Sequence, residues 1–308
     1  MGDPHVLASA IEFARTAYAP DRLAVVVWGP GSGYRSIGGS APLSRATSYD
    51  EGSGGDALLT AELTTALEGD PVDVVGFDTS FAASIEVAWQ IRSNARLMVA
   101  SQGAADADGW PYQAILEEFA ASDLSSEAFV RSVVTRLADR PGARSYDTVS
   151  AIDLSRVDEL TAALDDFSGT LHAAIAGAAL RDSVRATLFY EVEGFYSTPG
   201  DLAIDLGHMA EVIHREYDLA DTAALALGAA VESAVALNHT GADHASATGL
   251  SVHLIPLDDE GRARATHDPA YQRGGGAADQ PGFVTASAWS PQIPDGPGLL
   301  YRLFYELM

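Results

Sequence analysis

Cysteine is absent from the 308 residues, which removes disulfides, thiolate metal ligands and thiol nucleophiles together. Acid–base or covalent chemistry must then rest on hydroxyls, carboxylates and imidazoles. The histidines are His5, His172, His208, His214, His239, His244, His253 and His267, and none sits in a nucleophile motif of its own. His208 and His214 fall on different faces of a helix, which argues against a shared zinc ion. His239, Asp243 and His244 cluster near a helix end and read as exposed polar residues rather than metal ligands. In an open parallel sheet the loops leaving the carboxyl ends of adjacent strands form the ligand crevice. Two such loops are Gly29 to Tyr34 and Asp78 to Phe81, and chemistry is to be sought there.

The elements that must position those loops are set by periodicity. Asp3-Pro4 reads as an N-cap followed by proline in a first helical turn, and apolar positions recur with a helical period through Val6, Leu7, Ala10, Ile11 and Ala14 to about Tyr18. Leu23 to Trp28, Val72 to Phe77 and Arg96 to Ala100 are short apolar runs, the mark of strands buried on both faces. Helices are expected at Thr60 to Leu67 and through Ile85, Trp89 and Ile91. Strands alternating with helices at this spacing predict an α/β fold with helices on both faces of a parallel sheet. Further on, helices are expected at Glu127 to Ala138, Val157 to Ala178, Leu202 to Glu216 and Thr222 to Leu237. Strands are expected at Thr148 to Ile152, Thr187 to Tyr190 and Leu250 to Ile255. Residues 258–282, rich in Gly, Ala, Asp and Arg, read as a long surface loop. No linker divides the chain, so residues 1–308 are expected to form a single domain.

The formal charge is -25, from 43 acidic residues against 18 basic ones, and every basic residue is arginine. Such a surface repels itself in dilute buffer and is screened at molar salt, where the Debye length is about 3 Å, so a salt-adapted source is expected. Nucleic acid and anionic membranes are excluded as partners on the same ground. No apolar stretch approaches a membrane span, and the N-terminus lacks the basic flank and apolar core of a signal peptide. As written, the chain reads as cytoplasmic or as a mature fragment.

Leu23 to Tyr34, LAVVVWGPGSGY, resembles a segment of the clostripain family of caspase-fold cysteine peptidases in which a strand ends in Trp-Asp-His-Gly-x-Gly-Trp. Val72 to Trp89, VDVVGFDTSFAASIEVAW, is similar to the family's strand ending in Phe-Asp-x-Cys-x-Met. Further matches occur in the same order: Tyr49-Asp50-Glu51 with Gly54-Gly55-Asp56, Leu59 to Leu63, Val99 to Gln102, Gly109 to Tyr112, Val149 to Ser155 and Gly249 to Val252. The resemblance implies a caspase-like α/β/α sandwich around a mostly parallel sheet. It also places Pro30 at the family's catalytic histidine and Ser80 at its catalytic cysteine. A serine hydroxyl depends on a base within about 3 Å, and proline supplies none. The expectation is therefore a catalytically silent homologue, a pseudopeptidase, with a serine hydrolase using Ser80 or an assembly subunit as alternatives.

By the same resemblance, Asp78 lies where the family selects a basic side chain, so a basic peptide is a candidate ligand. The competing reading is that Asp78 caps the next helix. Gly31 and the Ser80 backbone N–H match oxyanion donor positions. Arg45 lies where relatives are often nicked, and reads here as an ordinary surface arginine. The family is associated with calcium, which makes Asp50, Glu51 and Asp56 conceivable ligands; no other cofactor is expected. Family members also carry an earlier strand pair that this chain lacks as written. Leu23 to Val27 would then be an apolar sheet edge, covered by a protein partner, by a second copy of the chain or by a compensating element of this one.

Overall fold

The Asp3 carboxylate accepts from the His5 backbone N–H at 2.8 Å, and with Pro4 behind it the first helix, α1, runs Pro4–Tyr18 as the capping residues dictate. The computed structural model describes residues 2–29, 31, 46–50, 56–69, 71–106, 108–121, 124–140, 142–144, 147–175, 177–198 and 201–254. Pro30, Arg45, Glu51, His267 and the segment 258–282 lie outside them.

Strands β1 (Ala24–Trp28), β2 (Ala46–Asp50), β3 (Asp56–Leu59), β4 (Val72–Asp78) and β5 (Ala95–Ala100) alternate with helices α2 (Thr60–Leu67) and α3 (Ile85–Ile91). After them come α4 (Tyr112–Ala121), α5 (Ser126–Ala138), β6 (Thr148–Asp153), α6 (Val157–Ala174), α7 (Ala178–Tyr190), β7 (Gly194–Thr198), β8 (Asp201–Asp205), α8 (Leu206–Glu216), α9 (Asp221–Ala234), β9 (Val235–Thr240) and β10 (Ser251–Leu254). The main sheet has the order β1-β4-β5-β6-β9. β1 and β5 both run parallel to β4, while β6 is antiparallel to β5 and to β9. Four of its five strands therefore point the same way. β10-β8-β7 form a small antiparallel sheet, and β2 pairs with β3.

Successive side chains of a strand leave opposite faces, and the core divides accordingly. Val75, Phe77, Met98 and Ile152 pack with Trp89, Leu160, Phe167, Val212 and Leu227 on one face. Val74, Leu97, Val99 and Val149 pack with Ile115 of α4 and Val130, Val133 and Val134 of α5 on the other. Helices cover both faces, as expected. Among the described strands, β1 has a sheet neighbour on one side only.

Four sequence expectations are corrected. Thr187 to Tyr190 is the last turn of α7, not a strand: Val184, Thr187 and Leu188 are buried at helical spacing, and that packing overrides the β propensity of Thr, Phe and Tyr. The helix expected over Val157 to Ala178 is two helices, broken where Ile175 turns extended and Gly177 takes φ 86°. The helix expected from Leu202 begins at Leu206, because residues 201–205 pair with β7 and β10. The one expected to reach Leu237 stops at Ala234, and Val235 enters β9.

The start of α8 is held by a buried network. Asp205, fully buried, accepts from the His208 N–H (2.8 Å), Gln102 Nε2 (2.9 Å), the Thr248 N–H (2.7 Å) and Thr248 Oγ1 (2.6 Å). Gln102 Oε1 in turn accepts from the Gly249 N–H at 3.1 Å. Burial raises the Asp205 carboxyl above its usual range, against the pull of these donors. Asp205→Ala removes a helix cap and strands several buried donors, and should cost about 3 kcal/mol or more of stability. Urea unfolding of the two proteins measures this; a loss below about 1 kcal/mol would contradict the network's role.

Candidate functional site

In the parallel register Trp28, at the end of β1, is the neighbour of Asp78, at the end of β4. The strand ends from which the two loops singled out in the sequence depart therefore lie side by side; of the first loop only Gly29 and Gly31 are described. Asp78 is 4% exposed and Trp28 is 66% exposed, so a buried carboxylate lies beside a solvent-facing indole.

Asp78 does not cap α3. That helix starts at Ile85, and its cap is Ser84, whose Oγ accepts from the Val87 N–H at 3.3 Å. The Asp78 carboxylate turns instead to the loop between β5 and α4, where Oδ2 accepts from the Trp110 N–H at 3.0 Å and from the Tyr112 hydroxyl at 2.8 Å. Its other oxygen, Oδ1, accepts no hydrogen bond from the described residues. Burial raises the Asp78 carboxyl, while the two donors and the Arg140 charge act the other way. Burial and the adjoining carboxylate push the Tyr112 hydroxyl up.

Two glycines make this arrangement possible. Gly109 has φ +70°, and a Cβ there would lie 2.8 Å from Asp78 Oδ2 and 3.2 Å from Trp28 Nε1. Gly76 in β4 lets the Trp110 ring lie against the strand, since a Cβ would be 2.7 Å from Cη2. Both are places where backbone must approach closely.

Ser80 is half-buried, and its Oγ accepts from the Ala105 N–H at 2.9 Å. Among the described residues that is its only hydrogen-bond partner, and no imidazole or carboxylate bonds to it. Phe81, next in the chain, has φ 60°, a left-handed value that costs a bulky residue about 1–3 kcal/mol. Its N–H bonds to the Gly103 carbonyl at 2.9 Å, and its ring packs with Phe195 and Ala247. Gly31 is half-buried.

The histidines are dispersed. His208 Nδ1 accepts from the Glu193 N–H, His214 pairs with Asp221, and His244 pairs with Glu193 at 3.0 Å. His239 is on the wall of a cavity it shares with Asp78. No group of three potential metal ligands converges among the described residues. Asp50 and Asp56 are register partners in the β2–β3 pair.

The cavity beside Asp78 also contains charges that sequence reasoning did not single out. Arg140 Nη2 contacts Asp106 Oδ2 at 3.0 Å and Asp147 Oδ2 at 2.7 Å, and Arg144 reaches Asp106 Oδ1 at 3.3 Å. None of these charges carries a sequence signal of its own; the Gly109-Trp110-Pro111-Tyr112 match marks only Trp110 and Tyr112, the partners of Asp78.

The sequence profile of the clostripain family matches residues 1–273. The chain belongs to the clostripain family. Clostripain of Hathewaya histolytica is 29% identical over 132 residues, spanning 39% of this chain and 25% of that protein, so the match covers about a quarter of the curated relative. A secreted C11 cysteine protease from Bacteroides thetaiotaomicron, solved with an irreversible peptide inhibitor, superposes with TM-score 0.63 at 16% identity, over 88% of this chain and 75% of that one. An inactive zymogen C11 protease from Parabacteroides distasonis gives TM-score 0.58 at 19% identity, over 82% and 69%. The fold is thus that of C11 proteases.

Because the folded pKa of Asp78 is raised, the native state binds its proton more tightly than the unfolded chain does. Stability then falls as pH rises from the ordinary carboxylate value of 3.8 through the raised one. Asp78→Asn lacks this dependence and keeps a carbonyl acceptor for Trp110 and Tyr112. Urea unfolding from about pH 4 to about pH 8 should show the variant gaining on the wild type and then levelling. A difference that does not change with pH contradicts the shift.

Proposed function

We propose that this chain is a catalytically silent homologue of clostripain-type peptidases that retains recognition of a basic side chain. The reading is carried by the surroundings of Ser80: its hydroxyl is engaged by the Ala105 N–H, with no base bonded to it among the described residues. An alkoxide needs a base at hydrogen-bond distance, and on the motif resemblance Pro30 takes the place of the family's histidine.

Recognition rests on Asp78. One carboxylate oxygen is held by Trp110 and Tyr112, which leaves the other for a ligand cation. Trp28 beside it is largely exposed, and an indole next to a carboxylate suits a guanidinium ligand. The ligand class that fits is an arginine-containing peptide or the arginine-bearing loop of a protein partner. A second surface, the outer edge of β1, supports association with another chain, since an apolar edge strand pairs readily. The excess of 25 negative charges supports a salt-adapted protein on the screening argument.

Arginyl and lysyl amide reporters should not be turned over, in dilute buffer or in molar KCl. Arginine peptides should bind with dissociation constants of roughly 1 mM, and Asp78→Asn should abolish that binding. Turnover lost in Ser80→Ala would establish a serine hydrolase instead. Binding unchanged in Asp78→Asn would sink the recognition reading, and a thermal midpoint indifferent to KCl would remove the salt-adapted part.

A further inference from the structure

Arg140 lies just beyond the C-terminal end of α5 and lines two spaces at once. On one side is the cavity bounded by Asp78, Asp106, Asp147 and His239; on the other is a wider groove between α4 and α5, along Ala114, Glu118, Ser132 and Arg136. Its side chain is 12% exposed. Nη2 bridges Asp106 and Asp147, and Nη1 reaches the Gly109 carbonyl at 3.4 Å. Gly109 is the residue whose α-carbon lies against the Asp78 carboxylate. The guanidinium therefore lines the same cavity as the Asp78 carboxylate that a ligand cation would approach.

Space and charge limit which groups the cavity can hold. The volume that remains is about 30 Å³, room for one or two waters and too little for a second guanidinium. The groove on the other side of Arg140 has about 580 Å³, ample for a displaced side chain. Three carboxylates face the cavity, and a buried carboxylate needs a cation partner. Arg140 supplies one and thereby weakens the pull on any other.

We propose that Arg140 is a tethered occupant of the acidic cavity, and that an external basic side chain enters fully only when Arg140 swings toward the α4–α5 groove. The proposal rests on the reading that Asp78 recognises a basic side chain. Arg140 then sets the affinity of the site: the protein competes with its own ligand.

Calorimetric titration of N-acetyl-arginine methylamide into wild type, Arg140→Ala, Asp78→Asn and the Arg140→Ala/Asp78→Asn double variant, in molar KCl, separates the two ideas. Arg140→Ala should bind at least about tenfold tighter than wild type, and the gain should vanish in the double variant. Equal affinity in wild type and Arg140→Ala, with loss in Asp78→Asn, overturns the tethered-occupant proposal and leaves Asp78 recognition standing. A gain that survives in the double variant supports the occupant but overturns recognition by Asp78. Absence of binding in all four overturns both. Should Arg140→Ala fail to fold because Asp106 and Asp147 lose their partner, the charge-matched Arg140→Gln/Asp106→Asn variant takes its place, judged by the same outcomes.

Discussion

The site hangs on one loop. Between β5 and α4 the chain laces itself to the turn after β4: the Ser101 and Gly103 carbonyls accept from the Ala83 and Phe81 N–H groups, the Ala105 N–H bonds Ser80 Oγ, and Trp110 and Tyr112 hold Asp78. A turn carrying a left-handed Phe81 would relax if left alone. Here the neighbouring loop over-determines it. Gln102, in the middle of the same loop, reaches Asp205 at the start of α8, so the small sheet and the strand-end loops share one buried polar network. Such a network specifies geometry only while every member is satisfied.

Charge gives the site its character. In a chain with 25 excess negative charges, surface carboxylates are commonplace and individually uninformative. Asp78, Asp106 and Asp147 differ because they converge on a small cavity with a guanidinium among them. Exposed ion pairs contribute little, whereas a desolvated carboxylate cluster constrains what can lie beside it. The same carboxylates that would attract a ligand hold Arg140 in place. On the proposed reading, recognition and self-occupancy are two results of one electrostatic arrangement.

The sequence discloses what is local and hides what is not. Buried strands such as Val72–Asp78 are legible because their apolar runs have no polar face, and α1 is legible because Asp3-Pro4 announces it. The α8 boundary is illegible because Asp205 is satisfied by Gln102 and Thr248, 103 and 43 residues away. The α9–β9 boundary carries no glycine or proline, so nothing in Val-Ala-Leu tells strand from helix. Asp78 and Ser80 stand out only through family resemblance, since an aspartate and a serine after a strand carry no chemistry by themselves. Tyr112 and Arg140 become partners of the site through tertiary contact, which no periodicity encodes.

On the proposed reading, the positioning frame of a clostripain-type site persists without the family's histidine and cysteine. The most direct test of that reading is to install the pair with Pro30→His and Ser80→Cys together and to assay an arginyl amide reporter in molar KCl. The account predicts thiol-dependent turnover of that reporter and none of an aspartyl one, with neither single substitution sufficient. A folded double variant that is inert toward both, or that shows no preference between them, would contradict it.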